Sequence, residues 1–178
     1  YEAMRVAIDK LVSHIERRKI PFAMLYGNHD DRNSFTKDEQ ADIYRSYSMC
    51  MPMNTRNGKV DCDTYNIPVY TSEGDKPLFN LWMLDSAWHD KEQDKCFQAI
   101  KPETVEWYNE TSAKLAAENG GAPVPSLMFA HIPLPEILNL LEPCNANDKG
   151  AVSDRSGGFC RLKSDCKGKL GEYPCVLP

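Results

Sequence analysis

The sequence predicts an α/β fold. Three observations carry that reading: an amphipathic helical run at the N-terminus, a strand–turn–strand pattern near the middle, and two short apolar runs that each stop at a histidine-bearing turn. Met4, Ile8, Leu11, Val12 and Ile15 recur at helical spacing. Arg17, Arg18 and Lys19 suit the negative end of that helix dipole, and Pro21 is expected to stop it. Residues 22–26 (Phe-Ala-Met-Leu-Tyr) follow, with no polar side chain except the Tyr hydroxyl. A short continuous apolar run after a helix reads as a strand buried on both faces. It ends at Gly27-Asn28-His29-Asp30-Asp31.

Thr36-Lys37-Asp38-Glu39 has the form of a capping box and should start a short helix through Ile43 and Tyr44. Residues 48–62, rich in Met, Pro, Asn and Gly, read as loop. Residues 65–70 and 78–84 flank the turn Ser72-Glu73-Gly74-Asp75-Lys76-Pro77 and read as a hairpin, with Pro68 placing its first strand at an edge. Pro102 suits the first turn of a third helix, with Val105, Tyr108, Ser112 and Leu115 on one face and Asn119-Gly120-Gly121 ending it. Residues 127–130 form the second apolar run, which ends at His131-Ile132-Pro133. Beyond Pro143 the composition turns to Gly, Ser, Asp, Lys and Cys, which reads as an irregular segment. The expected organisation is a folded body over 1–142 and a Cys-rich loop or insertion of the same domain over 143–178.

Composition narrows the function classes. The 178 residues are 42% hydrophobic and 26% charged, near the globular norm, which excludes a disordered tail, a collagen repeat or a coiled coil. No stretch approaches the ~18 apolar residues of a membrane span. The net charge is −5, and the basic residues are scattered apart from Arg17-Arg18-Lys19 and a loose group from Arg161 to Lys169. Nucleic-acid binding through a basic patch is therefore not expected. A small phosphorylated substrate stays open, because a metal ion can supply local positive charge. Seven cysteines, four of them beyond residue 143, without C-x-x-C spacing, point to a disulfide-stapled loop and an extracellular or lumenal/vacuolar location. Asn109-Glu110-Thr111 has the glycosylation pattern. The chain opens in mid-structure, without an initiator Met, signal peptide or transit peptide.

His29 and His131 carry the functional signal, since ligands of open α/β sheets gather outside the carboxyl ends of the strands. Gly27 permits a tight turn, the Asn28 carboxamide oxygen is a hard neutral metal ligand, and the His29 imidazole can give a proton to a leaving group. His14 reads as surface and His89 as loop; Asp61-Cys62-Asp63 reads as turn residues before a strand, and Trp82 and Trp107 as core. There is no G-x-S-x-G, P-loop or G-x-G-x-x-G.

Leu25-Tyr26-Gly27-Asn28-His29-Asp30-Asp31, Leu81-Trp82-Met83-Leu84-Asp85-Ser86, Trp107 on a helix, and Phe129-Ala130-His131-Ile132-Pro133-Leu134-Pro135-Glu136 occur in that order. Together they resemble the calcineurin-like metallophosphoesterases, in the purple-acid-phosphatase-like branch, over about residues 1–142, with an echo at Gly171-Glu172. The resemblance implies part of an αββα sandwich, mixed sheets flanked by helices. It implies two divalent or trivalent metal ions, iron, zinc or manganese, at the strand ends. Asn28 and His131 would bind one of them, His29 would protonate the leaving alcohol, a metal-bridging hydroxide would attack phosphorus, and Gly27 and Asp30 would hold the turn. The implied reaction is hydrolysis of phosphate mono- or diesters. The family's upstream Asp-x-His and Gly-Asp-x-x-Asp/Asn motifs and its downstream Gly-His-x-His are absent here, so by this resemblance the chain reads as the central part of a longer protein and alone is expected to be inactive, or nearly so. The competing expectations are a catalytically degenerate secreted binding module that keeps the fold, and a cytosolic structural domain with reduced cysteines.

Overall fold

The computed structural model describes residues 1–30, 34–54, 58–86, 100–154 and 156–170. Asp31, His89, Gly171 and Glu172, named above, and two of the seven cysteines, Cys96 and Cys175, lie outside them. The chain divides into two units, Tyr1–His131 and Ile132–Pro178. No described helix is long and apolar enough to cross a membrane.

The first unit mixes helix and sheet, as an α/β chain should. Helix α1 (Glu2–Arg17) buries Ile8 and Val12. Leu11, part of the same apolar pattern, is 63% exposed. The helix ends before Pro21 because Lys19 turns into the left-handed region at φ 54, with its N–H on Glu16 O and the Ile20 N–H on Ile15 O. Helix α2 (Lys37–Tyr44) starts at the expected capping box: the Glu39 N–H donates to Thr36 Oγ1 and the Thr36 N–H to Glu39 Oε2. Its residues Ala41, Ile43 and Tyr44 join the core with Ile8, Val12, Met53 and Met83.

Strands β1 (Tyr65–Tyr70) and β2 (Pro77–Leu84) form the expected antiparallel hairpin, and β3 (Ser126–Ala130) lies parallel to β2 in the order β1-β2-β3. Pro68 does sit in an edge strand, where its missing N–H costs no ladder bond. Helix α3 (Pro102–Glu118) links β2 to β3 and begins with Pro at its first position. Its inward side keeps Tyr108, Ser112 and Leu115 of the expected face but not Val105. Thr104 and Leu115 are buried and Trp107 and Tyr108 pack on Trp82, at 5.7 and 4.7 Å between ring centroids, while Val105 faces outward. The large Trp82 ring sets the helix rotation, since the aromatic cluster buries more apolar area than a Val would.

Two apolar runs depart from the reading of strands buried on both faces. β3 is a strand, but Leu127, Met128 and Phe129 are exposed at the sheet edge. Residues 22–26 are extended, yet the described residues give them a single bridge, Phe22 to Cys50, and no place in the sheet. Side chains take up their backbone groups instead. The Tyr65 hydroxyl accepts the Met24 N–H at 2.9 Å and donates to Met24 O at 2.7 Å, and the Tyr26 N–H donates to Asp63 Oδ2 at 3.1 Å. An apolar run specifies burial and not which groups satisfy its amides.

The second unit is not irregular. A 3₁₀ turn (Pro135–Leu140) leads into β4 (Leu141–Cys144), β5 (Val152–Ser153) and β6 (Phe159–Leu162), an antiparallel sheet in the order β4-β6-β5. Among the described residues no disulfide forms: Cys50, Cys62, Cys144, Cys160 and Cys166 are thiols. Cys144 pairs with Phe159 and Cys160 with Pro143, so the two sulfurs stand on neighbouring rungs and opposite faces.

Tyr65→Phe should remove the partner of two Met24 backbone groups. The expected loss is ~1–2 kcal/mol of unfolding free energy, measured by urea titration; an unchanged midpoint would show that water replaces the hydroxyl without cost.

Candidate functional site

The turn at residues 27–30 is closed by its own carboxylate. The Gly27 N–H donates to Asp30 Oδ2 at 2.6 Å and the Asp30 N–H to Gly27 O at 3.1 Å. Gln40, buried on α2, donates from Nε2 to Asp30 O at 2.6 Å. The turn projects Asn28, half-buried, and His29, exposed. β3 ends at Ala130 and delivers His131 to the same place. His131 Nε2 lies 3.1 Å from Asn28 Oδ1, where the imidazole N–H donates to the carboxamide oxygen. Gly27 makes this approach possible: a Cβ there would stand 2.8 Å from His131 Nε2 and 2.9 Å from Cε1. The structure thus joins Gly27, Asn28, Asp30 and His131 in one site. His14, by contrast, bonds Arg17 on α1 at 2.8 Å.

Beneath the turn lies a buried acidic pair that the sequence reading passed over. β1 and β2 pair Tyr65 with Met83, so the register carried two residues further sets Asp63 opposite Asp85. Asp63 is fully buried; its Oδ2 holds the Tyr26 N–H, and its Oδ1 has no hydrogen-bond partner among the described residues. Asp85 is 3% exposed and receives Lys37 Nζ on both oxygens at 3.0 Å, while its N–H donates to Thr64 Oγ1. Burial, and then the negative charge of Asp85, raises the Asp63 carboxyl from the ordinary aspartate range toward neutrality, against the pull of Lys37. Burial also pushes the neighbouring Cys62 thiol up to about 12, which keeps it protonated. Asp61-Cys62-Asp63 has the composition of a turn, and composition does not reveal burial. The available signal was positional: an acid just before one hairpin strand and another just after its partner fall at the same rim.

One oxygen and one nitrogen donor within hydrogen-bond distance are suited to a shared cation. Among the described residues no group of three or more His, Cys, Asp or Glu side chains is placed to hold a metal. Three relatives place the sequence. Probable inactive purple acid phosphatase 29 of Arabidopsis thaliana is 26% identical over 164 residues, 81% of this chain and 42% of the relative. Phosphatase DCR2 of Saccharomyces cerevisiae is 28% identical over 153 residues, 80% of this chain and 25% of the relative. The chain is purple-acid-phosphatase-like in sequence. A third such relative, probable inactive purple acid phosphatase 14 of Arabidopsis thaliana, is 26% identical over 134 residues, 66% of this chain and 33% of the relative. This purple-acid-phosphatase-like chain therefore spans less than half the length of each of these relatives. No family model and no solved structure matches it.

Gly27→Ala should push the His131 ring off Asn28; loss of the wild-type His131 Nε2 environment in ¹⁵N NMR, with the helical signal retained, is the expected result. A second expectation concerns pH. Below the ordinary aspartate range Asp63 is protonated in both folded and unfolded states. Between that range and neutrality only the folded protein keeps the proton, so stability falls as pH rises. Asp63→Asn should remove this part of the fall in unfolding free energy measured from pH 4 to 8; an identical pH slope in both proteins would refute the assignment.

Proposed function

We propose that the protein containing this chain hydrolyses phosphate mono- or diesters with two metal ions, iron, zinc or manganese. The observation that carries this reading is the 3.1 Å approach of His131 Nε2 to Asn28 Oδ1. A carboxamide oxygen and an imidazole nitrogen are compatible with one such cation, which would take the place of the proton they share. Among the described residues Asn28 and His131 fit as two ligands of one ion, and the chain alone is expected to be inactive, or nearly so. When bound, the ions would lower the pKa of a water and neutralise charge on the phosphoryl oxygens.

The chain's own residues prepare that chemistry. Asp30 and Gln40 fix the turn, so that Asn28 needs no rearrangement to present its oxygen. His29, on the exposed side of the same turn, reaches solvent and can reload its proton after giving it to the leaving alcohol. Asp63 holds the chain two residues before Asn28.

The second reading, a degenerate binding module that keeps the fold, is favoured by the word inactive in the names of two relatives. Metal analysis of the complete protein separates the two. Under the first reading, Asn28→Ala and His131→Ala each lower metal content. His29→Ala leaves it unchanged and lowers kcat by ~10²–10⁴-fold. Unchanged occupancy in His131→Ala would remove its ligand role, and a complete protein with neither metal nor phosphatase activity would favour the binding module.

A further inference from the structure

We propose that the second unit holds a site for a phosphate-bearing anion, formed by Lys149, Arg161, Lys163 and Lys169. These four residues line one cavity of about 620 Å³, and among the described residues that line it none is acidic. The chain as a whole carries −5, so this concentration of positive charge runs against its overall balance. Arg161 is partly neutralised by Glu142, whose Oε1 accepts from Nε at 2.8 Å. Lys149, Lys163 and Lys169 have no ion pair among the described residues.

Backbone hydrogen bonds hold the chain beside two of these cations. The Lys163 N–H is tied to Leu140 O at 2.9 Å, and the Cys166 N–H closes a turn on Lys163 O at 3.0 Å. Gly168, directly before Lys169, takes a positive φ of 137. The Ala151 N–H closes the Lys149–Gly150 turn on Asp148 O at 3.1 Å. Like charges gathered around one cavity repel, and an anion between them relieves that repulsion. A phosphate group suits the arrangement, with several acceptor oxygens for three ammonium groups and a guanidinium. The cavity exceeds the ~30 Å³ share of a water many times over, so it has room for two phosphate groups, or one with an organic part.

The test uses the full 178-residue chain in a chelating buffer, which separates this site from the metal chemistry of Asn28 and His131. Inorganic pyrophosphate is titrated by calorimetry at low salt. Phosphatidylcholine vesicles carrying phosphatidylinositol 4-phosphate form a second arm, read by co-sedimentation. The proposal expects saturable binding in one arm, the arm naming a free or a lipid-borne phosphate. Binding should weaken with added NaCl. The exposed-site double variant Lys163→Ala/Lys169→Ala, checked for fold by circular dichroism, should bind about tenfold more weakly or worse. No binding in either arm overturns the proposal. So does binding that survives the double variant, or that is lost in Asn28→Ala/His131→Ala instead.

Discussion

One buried carboxylate joins the sheet to the turn that carries the candidate ligands. Asp63, at the entry of β1, accepts the Tyr26 N–H and so fixes the residue directly before Gly27. Without a ladder of its own, the 22–26 segment depends on such side-chain bonds, here from Asp63 and from the Tyr65 hydroxyl. The arrangement is costly by itself, because a desolvated carboxylate opposite a second one is disfavoured. Lys37 offsets part of that cost by clasping Asp85, and it stands at the first position of α2, where the Thr36–Glu39 box sets it. A helix cap, an ion pair and a backbone contact thus act in series on the position of one loop.

The fold was legible where the signal was local. The capping box, the hairpin turn, the Pro68 edge and the ends of α3 each depend on residues a few positions apart, and each appears as read. Long-range contacts were harder to read. The apolar character of residues 22–26 says nothing about a tyrosine hydroxyl 41 positions away that serves as their partner. Val105 and Trp107 are both apolar, and only the presence of Trp82 across the interface decides which one turns inward. β4, β5 and β6 are two to four residues long in polar, Gly-containing chain, too short for a period-two pattern to show.

The candidate site was legible in part for the same reason. Asn28 and His29 announce themselves as a turn after an apolar run, whereas the partnership of Asn28 with His131 across 103 positions entered through the family resemblance. Asp63 and Asp85 carry no motif of their own. Their importance comes from strand register, which the hairpin reading fixed without following it two residues past the paired strands.

The exposed third strand has a material consequence. Leu127, Met128 and Phe129 present apolar side chains on both faces of an edge that carries no charge and no proline between Ser126 and Ala130. Natural sheets guard such borders with lysine, proline or a bulge, because open amides there recruit further chains. Among the described residues no strand pairs with the outer side of β3, so the backbone amides along those five residues are open to pairing with another chain.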